Sequence, residues 1–550
     1  MNARDEEAVS LKVTQASLNQ TALDWSRNMA NIYAAVDEAV HQGSDILALE
    51  ELALTGYEAN DEFQRTDNTR ILASLQDIAA YAKALDPNLI ISIGHPWRLQ
   101  MRDIEADAEA PFDRTKEPPY DRLNLPFNVQ TFISGGTILG MTAKANLYND
   151  GRGYEKRYFN EWSVSAANRI GGVYGTIQAP LGDGSSIPFG RAIVHVTDGK
   201  QRINLAQAIC EEKWVATKYD GYPHDDSRYE SDNIIPSIAR YLESKDGLVL
   251  VIPNASPPAR DKNDKHVHLN GLASHYADAV IDTDGLGSSG STFAQFGHRL
   301  IVQNGTLLTH GARMGFGRVA ATTSIVQVRS APANTAEKAH AVLHHEFRNK
   351  SAAPKGHLAY EEDPAQAWDS PKNPNRHYEE VVRNTALWLF DYMRKSGSRG
   401  IMEALSGGAD SAFNSLMVSI MVHLGIHELG AAHFCDELQL KDKEKIIAAE
   451  KNGGFQAAAQ ECLKDMLTGV YMGTNNSSES TFNAAKVLME GGIDPLTGEK
   501  TAGIGGKFLH RNVQDLLDFY AVLYAVEDTT ALAPERKADM IRDIAIHLNA

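Results

Sequence analysis

Short runs rich in Val, Ile and Leu recur through the first half of this chain, at Leu11 to Leu18, Ile46 to Leu49, Leu89 to Ile93, Val129 to Ile133, Thr137 to Met141, Ile203 to Ile209 and Leu248 to Ile252. Between the first two, Met29, Ile32, Tyr33, Val36 and Val40 recur at helical spacing within Trp25 to Val40. Strands apolar on both faces must be covered on both faces, so this alternation predicts an α/β fold of layered sheets and helices.

At 550 residues the chain exceeds one ordinary core and predicts two or three domains. Hydrophobic residues at 43% and charged residues at 23% fit a soluble enzyme, and no uninterrupted apolar run approaches the length of a membrane span. The opening MNARDEEAVS lacks the basic and apolar regions of a signal peptide, and three cysteines cannot build a disulfide framework, so a cytoplasmic location is expected. A net charge of −18 argues against a nucleic-acid partner. Beyond Val328 the texture changes: Pro332, Pro354, Pro364, Pro371 and Pro374 stud a charged, Ala-rich stretch. This reading gives a domain over 1–330, a linker over 331–378 and a second domain over 379–550.

In the second domain a strand over Gly400 to Leu405 runs into SGGADS, residues 406–411, and then into a helix marked by Phe413, Leu416, Met417, Ile420 and Leu424. A strand–loop–helix of this kind offers unpaired N–H groups at a positive helix end. Gly407 and Gly408 allow close approach of a phosphate, Ser406 and Ser411 bring hydroxyls, and Asp410 suits a Mg²⁺ ion or fixes the loop. SGGxDS resembles the pyrophosphate loop of the ATP pyrophosphatases, which implies ATP as a ligand. Downstream, VYMGTNNSSESTFN at Val470 to Asn483 is similar to the segment of NAD synthetases in which a strand ends in YMGT and a helix follows. Ser477, Ser478 and Thr481 stand at that helix start, as caps or as nucleotide contacts.

The first domain carries three segments that match the nitrilase superfamily in order: DILALEELALTGY with Glu51, KANLYNDGRGYEKRYFNEW with Lys144 and Glu155, and INLAQAICEEKW with Cys210. The resemblance implies an α-β-β-α sandwich in which Cys210 attacks a side-chain amide to form a thioester. Glu51 is then the general base and acid, and Lys144, with a backbone N–H following the cysteine, stabilises the oxyanion. Glu155 positions Lys144 or the amide, and the charge of Lys144 is expected to favour the Cys210 thiolate. Cys435 and Cys462 are read as structural.

Both modules in this order resemble glutamine-dependent NAD synthetase. That implies a doubly wound, adenine nucleotide α-hydrolase-like second domain, and glutamine, ATP and nicotinic acid adenine dinucleotide as substrates. It also implies an enclosed path for ammonia and a homo-oligomer. Tyr57 and Ser256, the latter in NASP at 254–257, correspond to the family's glutamine pocket. The lysine and cysteine segments are closer to the eukaryote-type patterns K-x-x-L-A-N-x-G-N-Y-R-E and CEELW, the latter written CEEKW here. Glu50 stands where the bacterial pattern has proline, and Asp150 where some members have tyrosine. The family's later T-x-N-x-S-E and G-D segments have no counterpart before Ala550, so the resemblance implies an incomplete second domain. Two rivals follow: an amidase whose degenerate nucleotide domain scaffolds or senses, and a non-enzymatic nucleotide-binding module. His266, His268 and His275, and His344-His345-Glu346, lack a metal-binding spacing and are read as structural or solvated. KDKEK at 441–445 is read as an exposed helix face.

Overall fold

In the computed structural model, which describes residues 8–99, 125–149, 154–162, 167, 173–216, 234–243, 247–290, 292–333, 338–347, 364–493, 498–516 and a few positions between 535 and 542, the strand Ile46–Leu49 is buried on both faces. Strand alternation sends Ile46 and Ala48 into one apolar cluster and Leu47 and Leu49 into another. The second cluster is filled by Ile32, Val36 and Ala39 of the helix Trp25–His41 and by Ile71, Leu75 and Ile78 of the helix Asn68–Leu85. Each helix opens on an aspartate cap: Asp24 accepts from the N–H of Arg27, and Asp67 from that of Thr69.

The same alternation repeats on the strand Leu248–Asn254. Val249 and Val251 meet Ile46 and Ala48 between the sheets, while Leu248, Leu250 and Ile252 face Ile234, Ile235 and Ile238 of the helix Ile234–Leu242. Two sheets back to back, each covered outside by helices, make the α-β-β-α sandwich.

In spatial order the first sheet runs Val319–Arg329, Ala8–Leu18, Ile46–Leu49, Ile90–Trp97, Phe127–Ser134, Thr137–Ala143, Ser186–Gly190 and Ile177–Pro180. The second runs Thr306–His310, Arg299–Gln303, Ala279–Asp284, Leu248–Asn254, Gln201–Gln207, Val194–Thr197 and Ala341–His344.

Residues 331–378, read from their prolines as a linker, are built into this unit where they are described. Ala331–Pro332 pairs with the start of Gln201–Gln207, and Ala341–His344 adds a parallel edge strand beside Val194–Thr197. Trp368 and Phe347 are buried, and Arg313 forks onto Asp369 at 2.6 and 2.7 Å. The chain divides into compact units at Asp391 and Tyr392, inside the helix Arg376–Ser396. Proline content reports irregular backbone, and irregular backbone can still be packed.

The second unit holds a parallel sheet in the order Ile401–Ala404, Leu467–Gly473, Lys507–Asn512. Helices Ala409–Leu438 and Lys443–Met466 lie between the first two strands in sequence, and Glu479–Glu490 between the last two. This is doubly wound α/β construction. Ala409–Leu438 is long and apolar enough, by length and composition, to cross a membrane. It is broken at Gly430, and Met417, Met421, Val422, Ile426 and Phe434 are buried, as in a core helix. KDKEK straddles the start of Lys443–Met466, with Asp442 as its cap residue and Glu444 and Lys445 exposed in the first turn.

Candidate active site

Glu51, Lys144 and Cys210 each lie just beyond the C-terminal end of a strand, namely Ile46–Leu49, Thr137–Ala143 and Gln201–Gln207. Strand ends of both sheets meet here: the N–H of Glu51 donates to Asn254 O at 3.4 Å, and that of Cys210 to Pro253 O at 2.9 Å. Gly94 permits the turn, because a Cβ there would run into the backbone of Leu52. Cys210 has φ +44°, a left-handed conformation that costs about 1–3 kcal/mol and is typical of functional elbows.

Lys144 is the hub. Its Nζ lies 2.6 Å from Glu51 Oε1 and 2.9 Å from Glu155 Oε1, with all three side chains buried. Tyr57 donates its hydroxyl to Glu155 Oε1 at 2.7 Å, and Asn128 Nδ2 donates to Glu51 Oε1 at 2.6 Å. Glu51 Oε2, also buried, has no hydrogen-bond partner among the described residues. Burial raises the Glu51 pKa to about 7 against the pull of Lys144, with Glu155 adding to the rise. Burial disfavours the Lys144 ammonium, but Glu155 and Glu51 outweigh it and hold its pKa well above the usual lysine value.

The Lys144 charge acts on Cys210 in the expected direction, towards the thiolate, but it is outweighed. Burial, then the charge of Glu51, pushes the Cys210 thiol well up, and Lys144 only moderates the rise. Two carboxylates already surround the one ammonium and offset its pull on the thiol. Burial therefore favours the protonated thiol at Cys210.

Removing the hub should show in stability. Lys144→Met leaves Glu51 and Glu155 facing each other without a counter-charge, which should cost about 3–5 kcal/mol at alkaline pH. Buried carboxylates bind protons more tightly in the folded chain, so the loss should deepen as pH rises through about 7. Denaturant titrations at pH 6 and pH 8 check this; equal losses at both would contradict it.

Ser256 makes its hydrogen bonds outside the Lys144 cluster. Its N–H donates to Asp284 Oδ1 at 2.8 Å, and its hydroxyl lies 3.3 Å from His266 Nε2. Glu50, where the bacterial pattern has proline, is buried, accepts the N–H of Leu18 at 3.3 Å and has its pKa raised well up by burial. Asp150 lies outside the described residues.

Sequence reasoning missed Asn128 and Glu212. Glu212 accepts the N–H of Ile209 at 2.8 Å and of Ala145 at 2.7 Å, tying the Cys210 turn to the Lys144 strand, with Arg191 at 2.9 Å as its counter-ion. The adjacent acids of CEEKW were visible, but Arg191 comes from a distant segment that no spacing rule connects to them. His268, His275 and His344 are exposed. His345 is buried 3.4 Å from Asp45. His266, Asp282 and His298 offer ligand atoms close enough for one metal ion, yet the Lys213 ammonium already contacts both Asp282 and His266. A lysine supplies the positive charge there.

In the second unit, Gly407 has φ +78°, and a Cβ on it would meet the backbone of Thr481. The loop is held by the Ser411 hydroxyl, which accepts the N–H of Ser406 at 3.3 Å, and by the Ser406 hydroxyl, which accepts that of Gly408 at 3.2 Å. Gly408 opens the helix Ala409–Leu438 with no side-chain cap, and Asp410 is exposed in its first turn. Ser478 caps the helix Glu479–Glu490 by accepting the N–H of Thr481 at 3.1 Å, and Ser477 accepts the N–H of Thr474 at 2.9 Å. Thr481 Oγ1 lies 2.8 Å from Tyr471 OH. Ser477 thus closes a turn, Ser478 caps the helix through Thr481, and Gly407 lies against the Thr481 backbone. Cys435 and Cys462 are buried in helices.

Residues 12–218 match the carbon–nitrogen hydrolase family. Over 87% of its length the chain is 25% identical to the glutamine-dependent NAD(+) synthetase of Oryza sativa subsp. indica and 27% identical to that of Arabidopsis thaliana. It spans 59% and 60% of those proteins. A glutamine-dependent NAD(+) synthetase from Cytophaga hutchinsonii superposes with a TM-score of 0.68 at 23% identity, over 98% of this chain and 70% of that one. The Acinetobacter baumannii synthetase, solved with ADP, gives 0.55 at 15% identity, over 98% and 72%. Residues 12–218 thus match the carbon–nitrogen hydrolase family, in a chain similar along most of its length to glutamine-dependent NAD(+) synthetases.

Proposed function

We propose that the first unit hydrolyses glutamine and that the second uses the released ammonia to make NAD⁺. The observation that carries the first half is the unpartnered Glu51 Oε2, a buried carboxylate oxygen in a cluster that also acts electrostatically on the Cys210 thiol. As Cys210 Sγ bonds to the amide carbon, Glu51 takes the thiol proton and the carbonyl oxygen becomes an oxyanion facing the Lys144 ammonium. Collapse breaks the C–N bond, with Glu51 returning the proton to the departing ammonia. Water then adds to the thioester, Glu51 again accepting a proton, and glutamate leaves with the thiol restored. Tyr57 and Glu155 hold Lys144 in line.

For the second half, the backbone of Ser406, Gly407 and Gly408 and the uncapped helix start would cradle the phosphates of ATP, with Ser411 bracing the loop. Asp410, exposed in the first helical turn, would hold a Mg²⁺ ion, which would supply positive charge against the phosphates. The carboxylate of nicotinic acid adenine dinucleotide attacks the α-phosphorus and releases pyrophosphate. Ammonia then displaces AMP to give the amide of NAD⁺.

The test is glutamate release from glutamine by the intact chain, with trapping of a Cys210 adduct by an electrophilic glutamine analogue. Absence of both would end the glutaminase reading. AMP formation that depends on the dinucleotide separates the synthetase from an amidase with a scaffolding second unit. For the loop, Gly407→Ala should weaken ATP binding at least tenfold by calorimetry, because a Cβ at φ +78° is strained and meets Thr481. Unchanged affinity would remove the loop from the nucleotide site.

A further inference from the structure

Lys213 is fully buried three residues after Cys210, and its N–H donates to Cys210 O at 3.1 Å, so the two share one turn. The CEELW pattern that this segment resembles has leucine there, where this chain places a charge. A buried ammonium must be paired, and this one is bonded to Asp282 and lies 2.7 Å from His266 Nδ1. An ammonium donates and cannot accept, so His266 Nδ1 is the acceptor and the neutral ring carries its proton on Nε2. Asp282 Oδ2, 3.6 Å from the same Nδ1, is too far to compete for it. Burial, and then the charge of Lys213, holds the His266 pKa well below the usual histidine value, which keeps the ring neutral.

The consequence passes to Ser256. With the proton on Nε2, the Ser256 oxygen at 3.3 Å accepts, and its own hydroxyl proton is left to donate elsewhere. That proton has no other partner among the described residues. Ser256 lies two residues beyond Asn254, whose carbonyl takes the N–H of Glu51, and three beyond Pro253, whose carbonyl takes that of Cys210. Asp282 also holds the side chain of Asn254, so one carboxylate ties the cysteine turn to the serine segment.

We propose that Lys213 is a positioning residue that, through His266, turns the Ser256 hydroxyl into a hydrogen-bond donor for an acceptor oxygen of the amide substrate. The proposal rests on the glutaminase reading. A subsite so polarised favours a carbonyl or carboxylate over an ammonium group of the substrate.

The experiment is a mutant cycle on the full chain. Ser256→Ala and Lys213→Leu should each raise KM for glutamine about tenfold with kcat changed much less, and the double variant should be no worse than either. His266→Gln, whose amide can accept from Lys213 and donate to Ser256, should retain near-normal KM, whereas His266→Phe should match Ser256→Ala. Additive effects in the cycle, or a His266→Gln variant no better than His266→Phe, would overturn the relay. Should Lys213→Leu not fold because it strands Asp282, Lys213→Leu/Asp282→Asn removes both charges and carries the same comparison. Nitrogen-15 shifts of His266 test the relay without turnover, so its failure and that of the glutaminase reading are distinguishable. A neutral ring protonated on Nε2 is expected; a ring protonated on Nδ1, or on both nitrogens, overturns the proposal even in an active glutaminase.

Discussion

Replacing Cys210 by alanine is expected to drop glutamate release from glutamine below detection while leaving the thermal unfolding transition close to that of the wild type. The activity loss follows from removing the atom proposed to form the thioester. The small stability change follows from the electrostatics: burial favours the protonated thiol, so its removal strands no charge and deletes a single heavy atom. Cys210→Gly should be at least as stable as Cys210→Ala, because φ +44° is strained for any residue with a Cβ and free for glycine. A Cys210→Ala protein that still turned over glutamine would move the chemistry to another residue. One that melted far below wild type would show that the thiol is structural.

Glu51→Gln is expected to lower kcat/KM for glutamine by about 10² to 10⁴, the usual worth of a positioned general acid–base. The amide keeps the shape of the carboxylate, so Lys144 and Asn128 retain a neighbour, and the deficit reports proton transfer more than packing. The pH profile sharpens the test. Glu51 must be ionised to accept the thiol proton, and its pKa is raised to about 7. In the wild type, kcat/KM should therefore climb as pH rises through about 7 and then level off. In Glu51→Gln that limb should vanish. Because Glu51 is coupled to Lys144 and Glu155, the inflection belongs to the cluster as a whole. An unchanged acid limb in the variant would assign the titration to a different group.

Much of this protein was legible before its fold. The strand series placed Ile46–Leu49 at its limits, and the helix Trp25–His41 to within one residue, because apolar periodicity is a local signal. Glu51, Lys144, Glu155 and Cys210 were named from local context and order in the chain. The edge strand Ala341–His344 was not foreseen, since its pairing with Val194–Thr197 joins segments far apart in sequence.

What the sequence determined by itself was the inventory: which residues can act as nucleophile, base and cation, and the strands or loops that carry them. Only the tertiary structure decided their states. Whether Lys144 activates Cys210 or is consumed by two carboxylates depends on distances of 2.6 and 2.9 Å between segments 93 and 11 residues apart. The polarity of Ser256 likewise depends on Lys213 reaching His266, a residue 53 positions away. Protonation and hydrogen-bond direction follow from burial and from which charges share a cavity, and neither quantity is written in any local stretch of the chain.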